Sequence, residues 1–370
     1  MRCHYFDDGR CGSCAWLPQP YAEQVAAKER AAREAVGDDV VWLPTFEGPE
    51  HAFRNKAKMV VSGTVARPTL GLAEADLREC PLYTPAMHRV LEVLARFLTR
   101  AHVVPYDVAA RTGEAKHVLV TESPDGEFLV RFVLRSQEPV ARLRKHLGRL
   151  RAEAPEVVVV TANIQPAHSA VLEGELELVL TEQDTLPMRV GGIPLHLGPR
   201  SFFQTNTAVA AELYRQARAW VDRAAPASVL DLYCGVGGFA LHLAADGRAV
   251  HGIEVSADAV AAAQRSAAQV GLPATFAAGD ATTSPLTAEL VLVNPPRRGL
   301  GPELCAALEA STAQWLVYSS CHVGSLARDL AALPTFAPRE ARVLDMFPHT
   351  GHFEVLVLAQ RVSPAAPAPA

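Results

Sequence analysis

Cys321 closes an apolar run, Trp315 to Tyr318, and two serines, at the point where WLVYSSCHVGSLARDL turns helical. A thiol at the tip of a strand is a space-filler, a metal ligand or a nucleophile. Further along, Glu354 is the one acid in HFEVLVL. Carboxylates are seldom set inside apolar β-rich runs without a reason. Upstream, Asn294-Pro295-Pro296-Arg297 ends the apolar run AELVLV. A separate group of thiols opens the chain, with Cys3, Cys11 and Cys14 spaced C-x7-C-x2-C and Cys80 arriving later, ahead of a proline. Four thiolates suit a tetrahedral zinc or an iron–sulfur cluster, and the spacing leaves both open. Cys234 and Cys305 complete the seven cysteines; a turn and an apolar helix face predict core packing for them.

These residues need elements to hold them. From about residue 205 short apolar runs alternate with helical segments: ASVLDLYCG, AVHGIEV, ATFAAGD, AELVLVNPP and QWLVYSSC. That alternation predicts βαβ units and a mostly parallel sheet, an α/β fold of Rossmann-like type. ARVLDMFPHT and HFEVLVLAQ lack a helix between them and are expected to pair antiparallel at one edge. Residues 46–195 read as a central α+β domain, with a hairpin in HVLVTESPDGEFLVRFVLRS around Pro124-Asp125-Gly126. EVVVVTANIQ and AHSAVLEGELELVL suggest a further strand pair, and the Arg-rich stretch between has helical spacing. The expected domains are 1–45, holding three cysteines and a polar helix, 46–195, 196–362, and a low-complexity tail over 363–370, expected to be disordered.

The strand ending at Asp231 runs into LYCGVGGF, whose glycines at 235, 237 and 238 let a ligand approach the backbone at a helix N-terminus. Glu254, about 20 residues on, suits hydrogen bonding to ribose hydroxyls, in a dinucleotide site or an S-adenosylmethionine site alike. Two features separate these: the turn departs from G-x-G-x-x-G, and Asn294-Pro295-Pro296 resembles motif IV of S-adenosylmethionine-dependent methyltransferases. The C-terminal half therefore reads as a methyltransferase domain.

Amines attacked by such enzymes need no cysteine, because the amine is the nucleophile. Cys321, one strand beyond Asn294, points instead to an unreactive acceptor such as C5 of a pyrimidine. Thiolate addition at C6 makes C5 electron-rich, and a base must then remove the C5 proton so that the thiolate leaves. A thiol is only a few per cent ionised at neutral pH, so the site is expected to favour thiolate, with Arg297, Arg298 and the helix after Cys321 available for that. Glu354 is the favoured base. His349 and His352 are its rivals.

SFFQTN (201–206), DLYCGVGGF (231–239), GIE (252–254), NPPRRG (294–299), SSC (319–321) and FPHTGHFEVL (347–356) together resemble the RNA uracil-C5 methyltransferases. CHYFDDGRCGSC, FRNKAKMVVSG, CPLY, RFVLRS and NIQP are similar to the short branch acting on 23S ribosomal RNA, which lacks an N-terminal TRAM domain. The resemblance covers nearly the whole chain. It implies that Gln204, Tyr233, Glu254 and Asn294 contact S-adenosylmethionine, that Cys321 is the nucleophile and Glu354 the base. It also implies a 4Fe-4S cluster on Cys3, Cys11, Cys14 and Cys80, structural in role, in an N-terminal iron–sulfur region.

With 370 residues, 49% of them hydrophobic and 20% charged, the composition is that of a globular protein, and no apolar run approaches the roughly 20 residues that span a bilayer. The opening residues carry no hydrophobic signal, so a cytoplasmic monomer without membrane or DNA partners is expected. Net charge is −5, yet seven Arg or Lys against one Glu lie between Arg131 and Arg151, and Arg54, Lys56 and Lys58 cluster earlier. Such patches either contact RNA phosphates or are solvated faces. A base within folded RNA must leave its stack to reach the thiol, so flipping into a crevice between the two large domains is expected, with Phe202 and Phe203, or Phe347 and His349, stacking on it. The rivals are a transfer-RNA uracil methyltransferase and an iron–sulfur RNA-binding protein with an inactive methyltransferase half.

Overall fold

A computed structural model describes residues 1–72, 75–168 and 171–362. The expected tail, 363–370, lies outside the described residues. The chain forms two compact units: Met1–Cys14 with Pro49–Arg189 and Leu197–Arg200, and Ala15–Gly48 with Val190–His196 and the residues from Ser201 onward.

The second unit is built on an eight-stranded sheet. Its order is Val41–Trp42, Phe336–Leu344, Glu354–Arg361, Trp315–Ser320, Leu290–Val293, Ser228–Leu232, Ala249–Glu254 and Ala274–Ala278. The last five of these run parallel to one another, as expected for βαβ units. Glu354–Arg361 is antiparallel to both of its neighbours. Leu290–Val293 has every residue buried, as a strand covered on both faces requires. Side chains set the helix starts: Asn206 accepts from the Val209 N–H before Thr207–Ala224, and Ser256 from the Ala259 N–H before Ala257–Val270. Gly271, at φ +66°, ends the latter in the left-handed conformation that closes many helices.

Two expectations change here. The antiparallel pair is not at the sheet edge, because Val41–Trp42 adds a strand parallel to Phe336–Leu344. The segment 1–45 is also divided, with Ala15–Gly48 belonging to the second unit. The physical reason is a polar contact inside that unit. Lys28, on the helix Tyr21–Val36, buries its ammonium against Asp345 at 2.7 Å with neither side chain exposed. Ala32, one turn on, joins the core formed by Leu316, Leu326 and Phe336.

The first unit carries a seven-stranded sheet. The expected hairpin is present as Ala115–Glu122 and Phe128–Leu134, with Gly126 at φ +80° in the turn. Val157–Ile164 returns parallel to Phe128–Leu134 after the helix Val140–Glu153, and Leu176–Val179 pairs with it antiparallel. The opening residues form a short helical turn, His4–Asp7. Among the described residues, no helix is long and apolar enough to cross a membrane.

Candidate active site

Parallel strands deliver their last residues to one edge of a sheet, where doubly wound folds bind ligands. Ser228–Leu232, Leu290–Val293 and Trp315–Ser320 therefore bring Tyr233, Asn294 and Cys321 to a common edge. The final strand runs the other way, so its first residue, Glu354, arrives at that same edge. Ser320 pairs with Val355, which sets Cys321 and Glu354 as the next residues along the two strands. Cys321 and Glu354, the expected nucleophile and base, lie 33 positions apart in the chain and become neighbours by strand direction.

Glu354 is buried, at 2% exposure, and burial pushes its carboxyl up to about 8. The Ser319 hydroxyl donates to its Oε2 at 3.4 Å and opposes that rise. Cys321 is half-buried. Its thiol is raised, first by burial and then by the nearby Glu354 charge, while Arg297 acts in the opposite direction. This departs from the expected thiolate-favouring environment. Arg297 pulls the right way, but desolvation and the neighbouring carboxylate outweigh it. Neither histidine rivals Glu354 in placement. His349 is 1% exposed and bonded to Gln24, and the exposed His352 lies 3.5 Å from the Arg297 guanidinium.

The loop after Asn294 is held to the helix that follows Cys321. Asp329 accepts from the Leu300 N–H and from the Tyr318 hydroxyl, both at 2.7 Å. Gly299, at φ +84°, leaves the space this needs, since a Cβ there would lie 2.3 Å from the Asp329 carboxylate. Asn294 and Cys321 thus sit on segments locked to one buried aspartate.

Beside them is a cleft with about 370 Å³ of empty space, lined by Phe202, Gln204, Tyr214, Tyr233, Gly235 and Asn294, among others. Three of the four expected donor-contacting residues meet here. The fourth, Glu254, ends the neighbouring strand and accepts from the Gly235 N–H at 3.1 Å and the Ser256 N–H at 3.0 Å. The glycine turn is tightly wound: Tyr233, Gly235 and Gly237 all have positive φ. Of the aromatic residues expected to stack on a base, Phe202 is 71% exposed, whereas Phe203 and His349 are buried. Cys234 and Cys305 are buried, and Cys234 packs where a side chain on Gly252 would go.

The sequence reading missed two residues here. Asp231 is fully buried, and burial lifts its carboxyl to about 8. Its Oδ2 accepts from the Ala240 N–H at 2.9 Å, while Oδ1 has no hydrogen-bond partner among the described residues. Tyr214 packs edge-on against Phe239 and lies within electrostatic reach of Asp231 and Glu354. An acid at the strand end ahead of a glycine turn was a visible signal. Tyr214, in the middle of a helix, offered none.

The four remaining cysteines all belong to the first unit. Burial raises the Cys14 thiol to about 11, with further contributions from Cys80, Cys11 and Cys3. Cys80 is raised to about 11 by burial as well, with Cys3 and Cys11 adding to it. The four thiols therefore lie within electrostatic reach of one another. Among the described residues, however, no group of three or more His, Cys, Asp or Glu stands in an arrangement that would hold a metal ion.

The basic stretch divides. Arg131 is 1% exposed and paired with Glu173 and Glu177, Arg135 with Glu114, Arg142 with Glu138 and Arg149 with Glu153. Arg131 is therefore a core residue rather than a phosphate contact. Arg144, Lys145 and Arg151 of the helix Val140–Glu153 stay at the surface, without such pairs among the described residues.

A methyltransferase-domain family model matches residues 229–293, the strands around the glycine turn. The 23S rRNA (uracil(747)-C(5))-methyltransferase RlmC of Halothiobacillus neapolitanus is 48% identical, over 98% of this chain and all of its own. The chain belongs to the RlmC family. An RlmC of Yersinia pseudotuberculosis is 47% identical over 97% of this chain and 99% of its own. Among solved structures, the Pyrococcus abyssi tRNA (uracil-54, C5)-methyltransferase in complex with S-adenosyl-L-homocysteine aligns with a TM-score of 0.80 at 24% identity, covering 94% of this chain and 85% of that one. At that identity it speaks for the fold alone. The Cys321–Glu354 edge and the adjoining cleft are thus features of an RlmC-family chain.

Proposed function

We propose that the protein transfers a methyl group from S-adenosylmethionine to C5 of a uridine in 23S ribosomal RNA, at the position corresponding to uridine 747, giving 5-methyluridine. The observation that carries this reading is the meeting of Cys321 and Glu354 at the sheet edge beside the cleft. The activity of the RlmC relatives supports the choice of RNA.

The residues present suit the methyl donor. Gln204, Tyr233 and Asn294 line the cleft, and Glu254 ends the strand beside it. In the proposed reaction the Cys321 thiolate adds to C6 of the uracil, and the electron pair placed on C5 takes the methyl group from the sulfonium, which leaves as the thioether. Glu354 then removes the C5 proton, and the C6–S bond breaks to return the thiolate. Burial helps both partners at different moments. A desolvated thiolate is a stronger nucleophile, and a carboxylate near pKa 8 is a stronger base than an exposed one.

We further propose a 4Fe-4S cluster on Cys3, Cys11, Cys14 and Cys80. Its support is the all-thiol chemistry of the donor set and the electrostatic reach between its members; the described residues do not stand in a metal-holding arrangement. It would tie the opening residues to the central domain, and no step of the methyl transfer runs through it.

The test is methyl transfer from labelled donor to 23S ribosomal RNA lacking the modification, with transfer RNA in parallel. Incorporation at one uridine of the ribosomal RNA, lost in Cys321→Ala, is expected. Labelling of transfer RNA alone would replace the substrate assignment, and retained transfer in Cys321→Ala would remove the mechanism.

A further inference from the structure

The loop that leads into Glu354 is gripped by residues of the N-terminal helical segment that take no part in the chemistry above. His349, five positions before Glu354, sits at φ +65°, a left-handed conformation that non-glycine residues seldom adopt. Its two backbone polar groups are both used by that segment. The His349 N–H donates to Gln24 Oε1 at 2.9 Å, and the His349 carbonyl accepts from the Trp16 N–H at 2.9 Å. Gln24 is 1% exposed and is itself fixed, its amide donating to the carbonyls of Trp16 at 2.9 Å and Gln19 at 3.0 Å. Two positions further on, a Cβ at Gly351 would stand 3.0 Å from the Trp16 ring. On the other side of His349, the Lys28 ammonium donates to the Phe347 carbonyl at 3.2 Å.

The sheet alone anchors Glu354 incompletely. It is the first residue of its strand, paired with Leu344 on one side, while on the other side pairing stops at Val355. The direction from which the chain enters the strand is left to the loop, where Gln24 and Trp16 hold the backbone of His349, Lys28 holds Phe347, and Thr350 bonds back to Phe347 at 2.9 Å.

We propose that Gln24 and Trp16 are positioning residues for the base: by holding the left-handed turn at His349 they set the approach of Glu354 to the carbon it deprotonates. The inference rests on the reaction proposed above. In that reaction Glu354 acts only after the methyl group has been transferred. Loosening the clamp therefore slows resolution of the covalent RNA adduct while leaving its formation largely intact, a split that general destabilisation would not produce.

The experiment follows the full-length protein with a 23S ribosomal RNA fragment and labelled donor. Methyl incorporation in a single turnover and decay of the denaturant-resistant protein–RNA adduct are read separately for Gln24→Met, Trp16→Phe and Gly351→Ala. Incorporation within about twofold of wild type with adduct decay slowed about tenfold or more is expected, since small misplacements of a reacting group carry penalties up to about 10²-fold. Wild-type decay in those variants that fold, or incorporation and decay falling together, would overturn the proposal. Glu354→Gln serves as reference. If it accumulates no adduct, the reaction assignment itself fails; if it does and the clamp variants do not, only the clamp fails.

Discussion

The ammonium of Lys28 meets the carboxylate of Asp345 at 2.7 Å, and both side chains are wholly buried. The Tyr21 hydroxyl donates to the second carboxylate oxygen at 2.8 Å, so the acid is held from two points on one helix. Removing one member of such a pair strands an uncompensated charge, and Lys28→Met is expected to lower unfolding stability by about 3–5 kcal/mol. Adding Asp345→Leu should recover part of that loss. Denaturant titration of the single and double variants checks it, and a single-variant loss under about 1 kcal/mol would contradict the pairing.

Glu354→Gln should leave adduct formation in place and block its resolution, so that methylated RNA stays attached to the protein through Cys321. Denaturing electrophoresis with labelled donor reads the trapped species directly. An adduct turning over at the wild-type rate in Glu354→Gln would transfer the role of base elsewhere.

The two groups also titrate against each other. In the range where the thiol ionises, Glu354 is already charged and holds the Cys321 proton on. Taking that charge away lowers the thiol pKa, so the midpoint of Cys321 alkylation against pH should move down in Glu354→Gln. Peptide-resolved mass spectrometry distinguishes this thiol from the other six. An upward or absent shift would separate the two residues electrostatically.

Asp231 carries a stability signature. Its carboxyl is raised to about 8 in the fold, so the neutral acid is the form the fold prefers. That contribution is complete below the pKa of an unfolded aspartate, about 4, and is lost as pH climbs through 8. Asp231→Asn, which can still accept from the Ala240 N–H, should flatten the fall in melting temperature between pH 5 and pH 8. An unchanged slope would show that Asp231 is not the group responsible.

The basic helix yields a contrast between neighbours. Arg144, Lys145 and Arg151 are free to meet phosphates, so replacing them with Gln should weaken RNA binding. It should also reduce the salt dependence by about 0.7–0.9 per charge removed, if each neutralises one phosphate. Arg131→Met should instead lower stability, because Glu173 and Glu177 lose their buried partner. Affinity measured across salt concentrations, beside thermal unfolding, separates the two effects.

Much of this was legible in the residues. Alternating apolar runs and helical stretches predicted the parallel sheet. Gly235, Gly237 and Gly238 after Asp231 marked the candidate ligand turn, and Cys321 and Glu354 were conspicuous as reactive groups at the ends of apolar runs. Those are local signals, carried by period and by residue type, and they survive in a linear string. The buried Lys28 was not legible. A lysine in a polar-looking helix reads as solvated, and only docking against Asp345, 317 positions away, removes it from water. Arg131 was misleading for the same reason, since its partners Glu173 and Glu177 lie on later segments. Nor could composition reveal that Glu354 is desolvated, that this raises its proton affinity, or that Gln24 and Trp16 grip the turn before it. Residue identity determined which groups could react; burial, strand direction and pairing between distant segments decided how they are charged and where they point, because dielectric environment and register exist only once the chain has closed on itself.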